Sequence, residues 1–202
     1  MTGSILIALP AKNEEQLIGS TINAVIQYGD VFVFDNNSSD KTSAVSESFG
    51  AYVISSPING YESVVYHIAE YFLNSKYEVL VILDADGEVG LRELPIGLSK
   101  LSNVDGVIGN RNLKKRFAER LVSQVFFRTT NILDIYCGFK ILTRSAISSK
   151  LTKGTFATAL VDKTANFENV NVIVKPRSGS RLGNEFLVKI KLLVGGIKGY
   201  FN

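Results

Sequence analysis

Short apolar runs that alternate with amphipathic stretches constrain this chain more than any other feature of its sequence. Residues 5–9 read as a buried strand. Residues 14–28 read as a helix with Leu17, Ile18, Thr21, Ile22, Val25 and Ile26 on one face. A second apolar run, 31–34, ends at Asp35, and Asn36-Asn37-Ser38-Ser39 is turn chemistry with Asp40 placed to cap the next helix. Strands follow at 52–54 and 79–83, with a helix over about 61–73 between them. Strands that alternate with helices need crossover connections, and those produce a mostly parallel sheet covered on both faces. In such sheets ligands bind beyond the carboxyl ends of the strands. The polar clusters Lys12-Asn13-Glu14, Asp35-Asn36-Asn37 and Asp84-Ala85-Asp86 all fall at those ends.

The second half is less regular. It has strands at 104–108, 139–142 and 172–174, a long basic amphipathic helix or helix pair over 113–133, and a closing helix over 185–201. No internal repeat or linker divides the chain. Its 202 residues suit one domain over 1–202, with a more regular half to about 110 and a less regular one from about 111. A domain of this size buries a full core without cross-links. Cys137 is the sole cysteine, so no internal disulfide forms. The net charge of +3 does not argue for nucleic acid as a partner. The longest uninterrupted apolar stretches are far below the roughly 18 residues that would span a bilayer. The first residues show no basic flank before a long apolar run. A cytoplasmic protein, soluble or at the cytoplasmic membrane face, is expected.

Asp84 and Asp86 carry the sharpest chemistry. In extended backbone, residues two apart face the same side. Two carboxylates there make a hard-oxygen site for Mg²⁺ or Mn²⁺, and Glu88 could add a third oxygen. The competing reading is a turn in which one of the pair caps a helix. Asp-X-Asp is a common spacing, and its place after a five-residue apolar strand is what favours the metal. Among other features, Lys114, Lys115, Arg116, Arg120 and Arg128 interleave with apolar residues. They suit either a face lying on anionic lipid or a solvated helix face. His67 reads as an ordinary helix histidine, and Cys137 as a small buried apolar residue.

Taken together, the segments Ala8-Leu9-Pro10-Ala11-Lys12-Asn13-Glu14-Glu15, Val33 to Thr42, Asn59-Gly60-Tyr61-Glu62, Asp84-Ala85-Asp86-Gly87-Glu88, Gly109-Asn110-Arg111 and Asp134-Ile135-Tyr136-Cys137-Gly138-Phe139-Lys140 resemble the family 2 glycosyltransferases. Within that family the chain looks most like the polyprenyl-phosphate (dolichyl-phosphate) mannosyl- and glucosyltransferases. The resemblance implies a Rossmann-like GT-A fold, an α/β arrangement with a mostly parallel central sheet flanked by helices. It implies a metal-dependent, inverting transfer of a sugar from a UDP- or GDP-sugar to a glycan, protein or lipid-phosphate acceptor, with peripheral membrane contact. Pro10, Ala11, Glu14, Asp35, Gly60, Asp84 and Arg111 would then bind the donor. Asp86 would be the main metal ligand, with Asp84 and Glu88 beside it. Arg111, Arg120, Arg177 and Arg181 would face phosphates. Asp134, ahead of Asp162, would serve acceptor-side proton chemistry. Asn36 departs from the family, which often has a second Asp there, and this leaves base specificity open. Ala157 and Ala159 stand where related sequences often carry acids. Two other functions compete. One is a sugar nucleotidyltransferase, opposed by the lack of glycine in Leu9-Pro10-Ala11-Lys12-Asn13. The other is a non-catalytic nucleotide-sugar-binding relative.

Overall fold

The structure is a computed structural model that describes residues 4–56, 60–87, 89–111, 123–124, 127–147 and 160–174. The expected helix over 185–201 and most of the one over 113–133 lie outside these residues. So do Glu88, Arg120, Arg177 and Arg181.

Apolar alternation becomes one seven-stranded sheet. Its strands are β1 (Ile5–Ala11), β2 (Asp30–Asp35), β3 (Tyr52–Ser55), β4 (Val79–Ile82), β5 (Gly106–Arg111), β6 (Lys140–Thr143) and β7 (Phe167–Val172). The spatial order is β3-β2-β1-β4-β6-β5-β7. β6 runs antiparallel to both β4 and β5, while the other neighbouring pairs are parallel. The sheet is therefore mixed, as the expectation of a mostly parallel one allows. Helices fully covered by the described residues include α1 (Ile18–Val25), α2 (Thr42–Ser48), α3 (Tyr61–Leu73) and α4 (Leu94–Lys100).

Pleating sorts the strand residues onto two buried faces. Leu6, Ala8, Phe32, Phe34, Leu80 and Ile82 pack with Val64, Ile68 and Phe72 of α3. Ile7, Leu9, Val31, Val33 and Val81 pack on the other side with Ile18, Ile22 and Val25 of α1 and Leu94 of α4. α3 spans the residues its periodicity predicts. α4 was not expected, because Pro95 and Gly97 obscure the helical spacing.

α1 is shorter than its apolar spacing suggests. Asn13 takes a positive φ of 56°, and Glu14 heads a turn in which its carbonyl accepts the N–H groups of Leu17 and Ile18. Helix begins only at Ile18 and closes in a 3₁₀ turn at Ile26–Tyr28. Leu17 and Ile26 consequently stay partly exposed, at 40% and 41%. The N-cap of α2 is Lys41 rather than the expected Asp40, which lies one residue earlier and accepts the Thr42 N–H at 2.9 Å. Burial raises the Asp40 carboxyl, but its bonds from Thr42 and Glu15 outweigh this and hold it below the usual carboxylate range.

Among the described residues no helix is long and apolar enough to cross a membrane.

Phe72 anchors the α3 face. It has no exposed surface, and the Arg144 guanidinium lies 4.9 Å from its ring centroid. Phe72→Ala is expected to destabilise the fold by about 3–5 kcal/mol. The readout is a lower urea midpoint with an unchanged slope.

Candidate active site

Because β1, β2 and β4 are parallel neighbours, their carboxyl ends open onto one rim. A cleft of about 240 Å³ lies there, lined by Pro10, Ala11, Lys12, Glu14, Asn36, Tyr61, Val64, Asp84, Ala85 and Asp86. Of the expected donor residues, Pro10, Ala11, Glu14 and Asp84 line it, together with the expected metal ligand Asp86.

Two loops set the wall formed by β1 and β2. The Asn13 N–H donates to Ser38 Oγ at 2.9 Å, and Asn13 Oδ1 accepts the Ser39 N–H at 2.8 Å. The Glu14 N–H donates to Thr42 Oγ1 at 2.8 Å, and the Lys41 N–H donates to Glu15 Oε2 at 2.9 Å. Asp35 is almost covered, and its carboxylate accepts both the N–H and the hydroxyl of Ser38. Asp35 thus forms the base of this wall, beneath the lining residues. Gly60, at φ 116°, adopts a backbone shape that favours glycine and donates its N–H to Asn36 Oδ1 at 3.0 Å.

Asp84 and Asp86 reach the cleft by a route other than the expected one. β4 ends at Ile82, and the Asp84 carbonyl accepts the Gly87 N–H at 3.1 Å. The pair therefore sits on a tight turn rather than on extended backbone. The turn, with Gly87 at φ 64°, brings both partly exposed carboxylates to one cleft. Gly138 fixes one side of Asp84: a Cβ added there would lie 2.0 Å from Asp84 Oδ2, so only glycine admits the carboxylate.

Two hard-oxygen donors open to solvent fit a divalent cation whose remaining ligands come from water or a bound diphosphate. Among the described residues no group of three His, Cys, Asp or Glu side chains stands ready to hold a metal alone.

Asp134 lies fully buried below the rim. Arg111 clamps it with Nε to Oδ2 at 2.8 Å and Nη2 to Oδ1 at 3.1 Å, and the Arg111 N–H adds a bond of 3.3 Å. A carboxylate held in this way orients the arginine. Asp162 does not join it. Its N–H donates to the Ala146 carbonyl, its Oδ1 accepts the Thr164 N–H and hydroxyl, and it precedes β7. β7 begins level with Gly106, which pairs with Leu142 opposite Leu80. Asp162 is therefore at the amino-terminal rim, a strand length away from Asp84. Asp134 and Asp162, the two candidate catalytic acids, are thus not brought together: the reversed direction of β6 delivers the following chain to the opposite end of the sheet from the cleft.

Sequence reasoning did not single out Tyr61 or Lys140. Tyr61 is 47% exposed at the cleft. Desolvation, then the charge of Asp84, push its hydroxyl above the usual tyrosine range, so it stays a neutral donor. Lys140 is buried at the start of β6 and donates to the Cys137 carbonyl. A lysine inside the apolar run Phe139-Lys140-Ile141-Leu142 was the available signal. His67 behaves as expected, edge-on to Phe34 with centroids 5.5 Å apart.

The model of glycosyl transferase family 2 matches residues 6–149. An uncharacterized glycosyltransferase of Mycobacterium tuberculosis is 31% identical over 109 residues, covering 54% of this chain and 49% of that protein. Protein RfbJ of Shigella flexneri is 31% identical over 113 residues, covering 54% of this chain and 85% of its own length. The chain thus spans about half the length of the first curated relatives it matches. Among solved structures, glucosyl-3-phosphoglycerate synthase from Mycobacterium tuberculosis in complex with Mn²⁺ and uridine-diphosphate-glucose aligns at a TM-score of 0.75 and 17% identity, covering 98% of this chain and 79% of that one. Mannosyl-3-phosphoglycerate synthase from Rubrobacter xylanophilus aligns at 0.74 and 15%, covering 98% and 74%. At these identities the structural likeness establishes a shared GT-A-type α/β fold. Both of these proteins are synthases of a glycosyl-3-phosphoglycerate, whereas the motifs had suggested the polyprenyl-phosphate subgroup.

Two outcomes follow from the geometry. Asp134→Ala removes the buried carboxylate that holds the Arg111 guanidinium, whose side chain is 24% exposed. A loss of about 3 kcal/mol is expected, with part recovered in an Asp134→Ala/Arg111→Met double variant, as measured by denaturant unfolding in a double-mutant cycle. Burial pushes the Cys137 thiol up to about 11, against the opposing charge of Lys140, so at pH 8 it remains protonated. Its alkylation by iodoacetamide in the native protein should be about two orders of magnitude slower than in urea.

Proposed function

The chain belongs to glycosyl transferase family 2, and from that premise we propose that it is a metal-dependent inverting hexosyltransferase using a UDP- or GDP-sugar. The observation that carries this reading is the cleft itself: Asp84 and Asp86 share it with Pro10, Ala11 and Glu14. A carboxylate pair opposite a wall of main chain suits a nucleoside diphosphate, which has one apolar end and one anionic end. Pro10 and Ala11 offer surface to the base and ribose. Lys12 at the mouth adds positive charge for phosphate oxygens. A divalent cation held by Asp84 and Asp86 supplies neutralisation of the charge that develops on the leaving diphosphate. Arg111, kept in place by Asp134, adds a positive charge at the rim for phosphate oxygens.

Inversion requires an acceptor oxygen to attack the anomeric carbon as the diphosphate leaves. A hydroxyl acceptor needs a base within hydrogen-bond reach. Asp134 is a poor candidate, since Arg111 occupies both its oxygens. Asp162 is remote. Among the described residues neither of these acids is placed as that base, and an acceptor that is already anionic, such as a polyprenyl phosphate, needs none, which supports a phosphate oxygen as nucleophile. The glycosyl-3-phosphoglycerate synthases of similar fold favour a small phosphorylated acid as the second reading, so both acceptors belong in one assay.

Asp86→Asn is expected to reduce metal-dependent transfer or slow donor hydrolysis by at least about 100-fold while leaving the thermal unfolding midpoint nearly unchanged. Nucleoside diphosphate release from UDP- and GDP-sugars, followed with Mn²⁺ and with excess chelator, measures this. Full activity in the variant, or no effect of chelator, removes the metal from the reading. Tight donor binding with no turnover on any acceptor points instead to a non-catalytic nucleotide-sugar binder.

A further inference from the structure

Lys140 places an ammonium where only apolar groups are expected. It is 2% exposed and opposes Ile82 of β4 and Ile108 of β5 in register. Strand alternation puts it on the same face as Leu142, the face that packs against α3. A buried ammonium must be compensated by acids or hydrogen bonds. Its hydrogen bond goes to the Cys137 carbonyl, a neutral acceptor. Burial pulls the ammonium below the usual lysine range, and the charges of Asp84 and Asp134 act in the other direction. Asp134 already has both oxygens on Arg111. The other acid is Asp84, whose carboxylate rests against Gly138, the residue next to the Cys137 carbonyl that receives Lys140. Asp84 therefore faces the cleft in front and a buried cation behind.

We propose that Lys140 is a positioning residue for the donor site: a cation sealed behind Asp84 that offsets the rim carboxylates, so that the cleft accepts a diphosphate as well as a metal ion. The proposal rests on the donor-site reading given above. Without Lys140, Asp84 and Asp86 would present more negative potential to the cleft. That potential attracts a free cation and repels a free diphosphate, so the two affinities must move in opposite directions. A purely structural role for Lys140 would weaken both together.

The test is isothermal titration calorimetry on the full chain, with Mn²⁺ alone and with UDP or GDP alone in the absence of metal. For Lys140→Met, Mn²⁺ should bind roughly tenfold tighter and the nucleoside diphosphate roughly tenfold weaker, the size expected from one unit charge several ångströms away in a partly screened site. Lys140→Arg, which keeps the charge, should stay within about twofold for both ligands. Lys140→Gln, which keeps a donor for the Cys137 carbonyl, should behave like Lys140→Met. Affinities that fall together, or that do not move, overturn the proposal. So does failure of both neutral variants to fold by near-ultraviolet circular dichroism, which would make Lys140 a folding residue. If the unmodified chain binds neither Mn²⁺ nor either diphosphate, the donor-site reading itself fails, and this inference fails with it. If the unmodified chain binds them and the variants match it, only the role of Lys140 falls.

Discussion

Parallel pairing of β1 with β2 on one side and β4 on the other is the constraint on which the site depends. Parallel neighbours cannot be joined by a tight hairpin, so each strand must release its chain at the same end and recover it through a crossover. The carboxyl ends of these three strands therefore open side by side, and the polar residues that follow them have nowhere else to go. Apolar residues on both strand faces keep that arrangement in place, with α3 on one side and α1 and α4 on the other. The chemistry at the rim is a consequence of burial in the layers beneath it.

Beneath the cleft, charge is arranged in opposition rather than simply excluded. Asp134 has no exposed surface and is engaged by Arg111 through both oxygens. Lys140 is equally deep and lies within electrostatic reach of Asp84 and Asp134. Deep charges are tolerated when each has an opposing neighbour and hydrogen bonds in good geometry. Glycine makes one of these approaches feasible: Gly138 has no side chain to keep the Asp84 carboxylate away.

Much of this was legible in the amino-acid sequence, for definite reasons. The short apolar runs and helical patterns of the first half located β1, β2, β3, α3 and β4, because those elements are buried and the pattern records it. The strand ends marked Glu14, Asp84 and Asp86, the family resemblance added Pro10 and Ala11, and the fold gathers all five into one cleft. Strand direction was not legible, since alternation reads the same both ways along a chain. That is why Asp162 could be grouped with Asp134 although the antiparallel course of β6 carries them to opposite rims. The turn at Asp84 was likewise hidden, because two residues apart on a turn and two apart on a strand are identical in sequence.

The reciprocal bonds between the segment around Asn13 to Glu15 and the segment from Ser38 to Thr42 act as a latch. Each segment supplies both donors and acceptors to the other. Neither can therefore be exchanged alone. A graft of one from a relative with a different nucleotide would carry half of the fastening and strand the other half's amides at a partly covered site. Any redesign of this wall has to transplant the two segments as a unit.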